Sequence, residues 1–312
     1  MSLPSVAVVG GGVIGRTCAL ELARAGHPVT LITAEPPEAT TSAKAAALIM
    51  PFAAYPFRRV EAWTRTTLAR HAELARERAS GTRLSRGYEV ERAGSAQPTW
   101  MPLAGDARRE APPVGAPAGI ESVVAATLPL VDMSRHLPWL RSAGEALGVR
   151  ELRRRVERVE DAFAYGDLVV LATGLESNAL VADAGLHPIQ GQTVRVANPG
   201  GVPWILDHDH PGGMLYVIPR IDELVLGGTE VEGATGLEPD PRVEAAIIAR
   251  AAEHLPWIAD APVTSRSVGL RPGRAEIRLE RIGDVVHCYG HGGSGVTVAF
   301  GCAEEVVGLA LR

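Results

Sequence analysis

Two glycine-rich turns near opposite ends of a 312-residue chain carry its clearest chemistry. In VAVVGGGVIGRT, Gly10, Gly12 and Gly15 form a G-x-G-x-x-G pattern directly after a valine-rich run and directly before a helical one. The first glycine permits a tight turn, the second lets backbone approach a pyrophosphate, and the third lets helix and strand pack closely. Phosphate charge then sits at the positive end of the helix, against Val13 and Ile14. Glu35 falls at the end of the next predicted strand, about 20 residues past the turn. A carboxylate there accepts both hydroxyls of an adenosine ribose and disfavours a 2′-phosphate. This turn therefore predicts dinucleotide binding, without separating NAD from FAD.

The second turn, within CYGHGGSGVTVAFG (288–301), separates them. A nicotinamide enzyme has no evident use for a glycine loop feeding a helix at its far end, whereas the ring of FAD must be cradled away from the adenosine. Bare backbone at Gly292, Gly293 and Gly295 can approach a flat ring. The helix start at Val296 and Thr297 aims its positive end at the charge that flavin N1 and O2 gain on reduction. Two other clusters are weaker. Asp207, His208, Asp209 and His210 alternate ligand types, but Pro211, Gly212 and Gly213 follow and no third ligand group is evident, so a turn is expected and no metal. Cys18, Cys288 and Cys302 are scattered without a C-x-x-C pair and are expected to be buried free thiols.

The elements that must position these turns follow from periodicity. A strand, a turn, a helix over 13–25 stopping at Gly26, and a strand in HPVTLIT make a βαβ unit with parallel strands. Residues 58–80 predict a helix with an apolar stripe through Val60, Trp63, Leu68 and Leu74. From 82 to 132, β-type pieces (GYEVER, ESVVAATL) and a proline-rich link at 111–117 argue a separate sheet. A helix over 134–147 and a buried parallel strand in GDLVVLATG return to the first pattern. QTVRVAN, MLYVIP and ELVLGGT predict further strands, followed by a helix at 242–254, a strand at 263–270 and a closing helix near 294–311. The expected fold is α/β: a Rossmann-type FAD-binding domain (1–50, 134–190 and 265–312) interleaved with a mixed-sheet α+β substrate-binding domain (51–133 and 191–264).

Composition limits the partners. Hydrophobic residues make up 46%, charged residues 21%, and the net charge is -5, so no basic field exists to hold nucleic acid. No apolar run approaches the roughly 18 residues that cross a bilayer, and MSLPSVAVV lacks a charged leader region. A cytoplasmic protein is expected.

Several segments together resemble the D-amino-acid oxidase family of FAD-dependent amine oxidoreductases. GLRPGRAEIRLE (269–280) and CYGHGGSGVTVAFGCAEE (288–305) resemble its signature pair, with TTSAKAAALIMP (40–51), LATG (171–174), GQTVRV (191–196) and YVIP (216–219) in matching order. The resemblance spans essentially the whole chain. It implies that Arg271 grips a substrate carboxylate, that the Tyr216 hydroxyl reaches the same group, and that the Gly293 carbonyl accepts from the substrate amine. Arg274 and Arg278 are expected in structural ion pairs. It adds Thr40, Thr41, Ser42, Ala46, Ala47, Val156, Thr173 and Gly174 to the FAD-binding positions. A side-chain pocket of Leu48, Met50, Leu206, Tyr216 and Ile218 is implied, apolar apart from the tyrosine hydroxyl. Neutral D-amino acids are therefore expected; Arg220 is the one residue whose direction could alter this.

The implied reaction passes a hydride from the substrate α-carbon to flavin N5 and yields a 2-oxo acid, ammonia and hydrogen peroxide. The implied partners are a D-amino acid and molecular oxygen, with a homodimer left open. HDHPGGML is shorter than the lid of eukaryotic members and has glycine where they carry a second tyrosine, and LALR is no peroxisomal address. Alternatives are a glycine or sarcosine oxidase, a nicotinamide dehydrogenase, and a non-catalytic flavin-binding module.

Overall fold

The computed structural model describes residues 3–312. The valine run before the first glycine turn is strand β1 (Val6–Val9), the pattern after it helix α1 (Val13–Arg24), and the next apolar run β2 (Val29–Thr33). β1 and β2 pair in parallel, Val6 opposite Val29 through Val9 opposite Ile32. Val6 and Val8 face one core with α1, while Ala7 and Val9 face another on the opposite side. A strand covered on both faces must be apolar throughout, hence the unbroken run.

In chain order there follow α2 (Phe57–Leu74), β3 (Thr82–Arg92), β4 (Arg108–Glu110), β5 (Ile120–Val131), α3 (Met133–Ala146), β6 (Arg150–Arg153), α4 (Val159–Ala162), β7 (Leu168–Leu171) and α5 (Ser177–Val181). The remainder is β8 (His187–Ala197), β9 (Trp204–Asp207), β10 (Leu215–Pro219), β11 (Glu223–Gly227), β12 (Val231–Glu232), α6 (Pro241–His254), β13 (Val263–Gly273), β14 (Arg278–Ile282), β15 (Val285–Tyr289) and α7 (Gly295–Ala310). One sheet has the order β14-β15-β7-β1-β2-β6 and is parallel except for β14. The other has nine strands, β12-β8-β11-β10-β9-β3-β5-β4 with β13 on the free side of β8, and is antiparallel except where β3 meets β9.

Helices α1, α2, α3 and α7 share one core with the parallel sheet. At Gly301 of α7 the backbone of Trp63 on α2 lies so close that any Cβ would collide with it. In the second sheet Ile205, Leu215 and Val217 pack under α6, and the alternate residues Leu206 and Ile218 face the opposite way. Period-two alternation thus gives this sheet a closed face and a face left for a site.

Several expectations need correcting. The helix over 58–80 ends at Leu74, and Arg78–Ser80 forms a separate 3-10 turn before the left-handed Gly81 (φ 71°). Leu68 is only half-buried, and the buried stripe runs instead through Val60, Trp63, Thr67 and Leu74. Boundaries at 190 and 265 do not fall where the sheets divide, because β8 begins at His187 and β13 runs to Gly273, both in the nine-stranded sheet. Helix α2, grouped by sequence with the second sheet, packs on α7.

The turn expected from Asp207 onward begins one residue later. Asp207 ends β9 fully buried, accepting from Arg92 Nη2 (2.6 Å) and Nε (3.0 Å), with His254 Nε2 at 3.1 Å. Burial opposes its charge, but His254 and Arg92 outweigh that and hold the carboxyl at about 2. His208 and His210 turn to Glu89 and Glu253 respectively, so these side chains diverge and frame no common ion.

The rings of His71 on α2 and His136 on α3 lie 5.3 Å apart in the interior, tilted by 46°. His136 Nδ1 donates to the Ser80 carbonyl at 2.8 Å, and its Nε2 finds no partner among the described residues. Burial lowers His136 from its ordinary 6.5 to about 4, and burial followed by the charge of His136 depresses His71 as well. Between those two pH values the unfolded chain binds protons that the folded chain refuses, so stability is complete above about 6.5 and drains away as pH falls toward 4. Thermal melts across this window at fixed cofactor concentration should show Tm falling steadily. A flat Tm would mean these rings are not held neutral.

Candidate active site

The front glycine turn and the tail glycine turn open on the same cavity, of about 560 Å3. Gly10 has φ +120°, a region that excludes a side chain, and any Cβ there would strike the Ala172 carbonyl. Gly15 is pressed against the Gly10 carbonyl, which is the close helix–strand packing expected of the third glycine. It is the one expected cofactor position that does not line the cavity. Gly12 caps α1, and Val13 N donates to Ser42 Oγ at 2.9 Å. Neither α1 nor α7 has an acidic residue in its first turn, so both positive ends face the cavity uncompensated.

Around these helix starts the wall includes Gly10, Gly12, Val13, Ile14, Thr40, Thr41, Ser42, Ala46 and Ala47. It continues through Val156, Thr173, Gly174, Gly292, Gly293, Gly295, Val296 and Thr297. Glu35 lies on the wall just past the end of β2, where Arg154 and Arg155, which sequence reasoning missed, also line it. At Gly292 (φ +52°) a Cβ would meet nothing within 4 Å, so the backbone there faces open space. An acid suited to a ribose, one positive helix end suited to a pyrophosphate, and a second beside bare glycine backbone suited to a flat ring share one cavity. The residues present therefore fit FAD.

At the other part of the wall, Arg271 and Tyr216 come from strands β13 and β10 of the second sheet. Their approach depends on missing side chains. A Cβ on Gly191 would lie 2.5 Å from the Arg271 guanidinium nitrogens, and one on Gly227 would run into the Tyr216 ring. Arg271 Nη1 donates to the Thr229 carbonyl at 3.0 Å, leaving guanidinium N–H groups for a ligand. Burial raises the Tyr216 phenol, with Arg271 pulling the other way, so the hydroxyl keeps its proton and can donate. Gly293 sits beside both Arg271 and Phe52.

Leu48, Met50, Leu206 and Ile218 form the apolar wall, continuous with the core around Trp100 and Trp204. Three hydrogen bonds tie that wall to the start of α7: Thr297 Oγ1 donates to the Met50 carbonyl (2.9 Å), Ser294 Oγ to the Phe52 carbonyl (2.5 Å), and Phe52 N to Ser294 Oγ (3.2 Å). His208 and Glu230 also line the cavity. Glu230 Oε1 is 3.9 Å from Arg271 Nη1. Burial opposes the charge of His208, but Glu89 at 3.1 Å, with Asp209 and Glu230, holds its imidazole above the ordinary value. No motif marks either residue; a loop following β9 and another following β11 carry them to the site.

Arg220 turns away from the cavity to the Ala45 carbonyl (2.5 Å) and Glu223 (2.9 Å). Arg274 and Arg278 pair with Asp183 at 3.2 and 3.3 Å, the structural role expected of them. The three cysteines are free and buried, but they are scattered only in sequence. Cys18 and Cys302 both neighbour Cys288, whose thiol their hydrogen bonds and His291 hold well below its ordinary value.

Residues 5–309 match the family described as DAO, FAD dependent oxidoreductase. A D-amino-acid oxidase of Rubrobacter xylanophilus is 40% identical, over 97% of this chain and 94% of its own. One of Streptomyces coelicolor is 42% identical, over 98% and 96%. A glycine oxidase structure from Geobacillus kaustophilus superposes with a TM-score of 0.83 at 18% identity, over 100% of this chain and 95% of the other, which shows the shared fold.

Replacing Gly191 by alanine should displace the Arg271 guanidinium while leaving the fold intact, because the colliding atoms are the far end of a flexible side chain. Losing one charge-assisted bond of about 1.5–3 kcal/mol should weaken binding of a small carboxylate anion roughly tenfold or more. Equilibrium titration of G191A against the parent protein measures this; equal affinity would mean the gap at 191 has no bearing on the guanidinium.

Proposed function

The chain belongs to the FAD-dependent oxidoreductase family, and from that premise we propose that it oxidises neutral D-amino acids to 2-oxo acids, ammonia and hydrogen peroxide. The observation that carries this reading is the convergence of Arg271, Tyr216 and Gly293 on one cavity with an apolar wall and the two glycine turns. Relatives at 40% and 42% identity named D-amino-acid oxidase support it.

Bound FAD supplies the acceptor for the two electrons that leave the substrate α-carbon with its hydrogen. The protein's part is alignment. Arg271 holds the α-carboxylate through paired N–H donors, a geometry that suits a planar anion and fixes its register. The Tyr216 hydroxyl donates to the same carboxylate. The Gly293 carbonyl accepts an N–H from the uncharged α-amine. With carboxylate and amine both held, only one enantiomer directs its α-hydrogen toward the ring while its side chain meets Leu48, Met50, Leu206 and Ile218. The resulting imino acid takes up water to give the 2-oxo acid and ammonia, and oxygen takes the two electrons as hydrogen peroxide.

An acidic substrate side chain would lose hydration against the apolar wall of Leu48, Met50, Leu206 and Ile218, which supports preference for neutral side chains. Thr40, Thr41 and Ser42, with the first turns of α1 and α7, are the groups we assign to the pyrophosphate and ring, and Glu35 to the ribose.

Anaerobic mixing with D-alanine or D-valine should bleach the flavin, and the L-enantiomers should not; bleaching by glycine in preference to both would redirect the reading to a glycine oxidase. For R271A the KM for a neutral D-amino acid should rise by roughly two to four powers of ten, the equivalent of two charge-assisted bonds of about 1.5–3 kcal/mol each. Near-parental steady-state kinetics would remove Arg271 from this role. In E35A, FAD should dissociate more readily, read by fluorescence of the released flavin; unchanged retention would count against the ribose contact.

A further inference from the structure

Behind the two glycine turns lies a set of soft ligands that the oxidation does not use. Cys18 comes from α1, Cys288 from β15, Cys302 from α7 and His291 from the tail turn. The three thiols are fully buried and His291 is 4% exposed. Ligand atoms of Cys288, His291 and Cys302 lie within 4.8 Å of one another, with Cys288 Sγ 3.9 Å from His291 Nε2. Cys18 is buried near Cys288 but does not belong to this three-way cluster.

We propose that Cys288, Cys302 and His291 form a site for one thiophilic divalent ion of the zinc type, tying β15, the tail turn and α7 together. Two sulfurs and one imidazole nitrogen are a three-ligand zinc set that leaves the fourth tetrahedral position to water. Zn–S bonds of about 2.3 Å separate neighbouring sulfurs by roughly 3.8 Å, so the donors close on an ion by moving about 1 Å or less. The spacing Cys288-x-x-His291 gives a chelating bite across a turn bent at Gly290 (φ +82°) and Gly292 (φ +52°). No carboxylate belongs to the set, which selects against magnesium and calcium. Each thiol that ligates releases its proton as the ion enters, so nothing is oxidised or reduced. Cys288 and His291 line the cavity wall, which provides the route of access during folding.

The test uses the full chain, expressed in zinc-supplemented medium and purified with FAD. Elemental analysis should find one zinc per chain, and X-ray absorption at the zinc edge should find sulfur neighbours at about 2.3 Å. In C302S the zinc content should drop severalfold while flavin absorbance persists, and a chelator should lower Tm in the parent protein but not in C302S. A chain that carries no zinc, or zinc surrounded by nitrogen and oxygen alone, overturns the proposal. Should C302S fail to hold FAD, the parent protein's absorption spectrum alone decides between those outcomes. None of these readouts depends on turnover, so the site and the proposed reaction stand or fall separately.

Discussion

Two positive helix ends directed at one cavity are the constraint on which the rest of the molecule is built. β1, β7 and β15 are parallel neighbours, so their C-terminal ends lie along one edge of the sheet, and α1 and α7 both start from that edge. An open parallel sheet binds ligands at this edge because only there do several helix N-termini and flexible turns meet. Val13 N is met by Ser42 Oγ, and with no acidic residue in either first turn the positive ends of both helices favour an anion from outside the chain. A dinucleotide answers them along its length, which a single phosphate could not.

The second sheet supplies what the parallel sheet cannot. Its strands are covered on one face by α6 and open to the cavity on the other, so every second residue is available for recognition. Tyr216 and Arg271 use two of those positions, and the glycines at 191 and 227 give back the volume that a guanidinium and a phenol require. Precision comes from ties between parts. Ser294 and Thr297 fasten the start of α7 to residues 50–52, so the wall of the pocket and the start of that helix are held together.

Electrostatics then sort the site into fixed and available charge. Asp207 is buried and fully engaged by Arg92 and His254, which anchors the end of β9 and so the base of His208 beside it. His208 in turn is held by Glu89, itself bonded to the Trp100 indole. Arg271, with a carbonyl for one partner and Glu230 only at 3.9 Å, keeps capacity for the anion we propose it binds. Buried charges that are already paired hold the frame, and the half-satisfied one is the group we propose for recognition.

What the sequence by itself determined was everything that acts locally or periodically. Glycine spacing between a strand and a helix, the doubly buried β1, the alternation of YVIP and the tail turn each express a rule that operates within a few residues, and all were legible. Where helix α2 ends was harder, since tertiary packing against α7 and a left-handed Gly81 decided it. Only the fold could decide which distant residues meet. Nothing near Cys18 signals Cys302, and nothing in the loops after β9 and β11 signals that His208 and Glu230 line a cavity with Arg271. Arg220, one residue past a pocket strand, turned out of the cavity because Ala45 and Glu223 satisfy it. Partnership across long sequence separations is set by register, crossover and packing, and these exist only once the whole chain has folded.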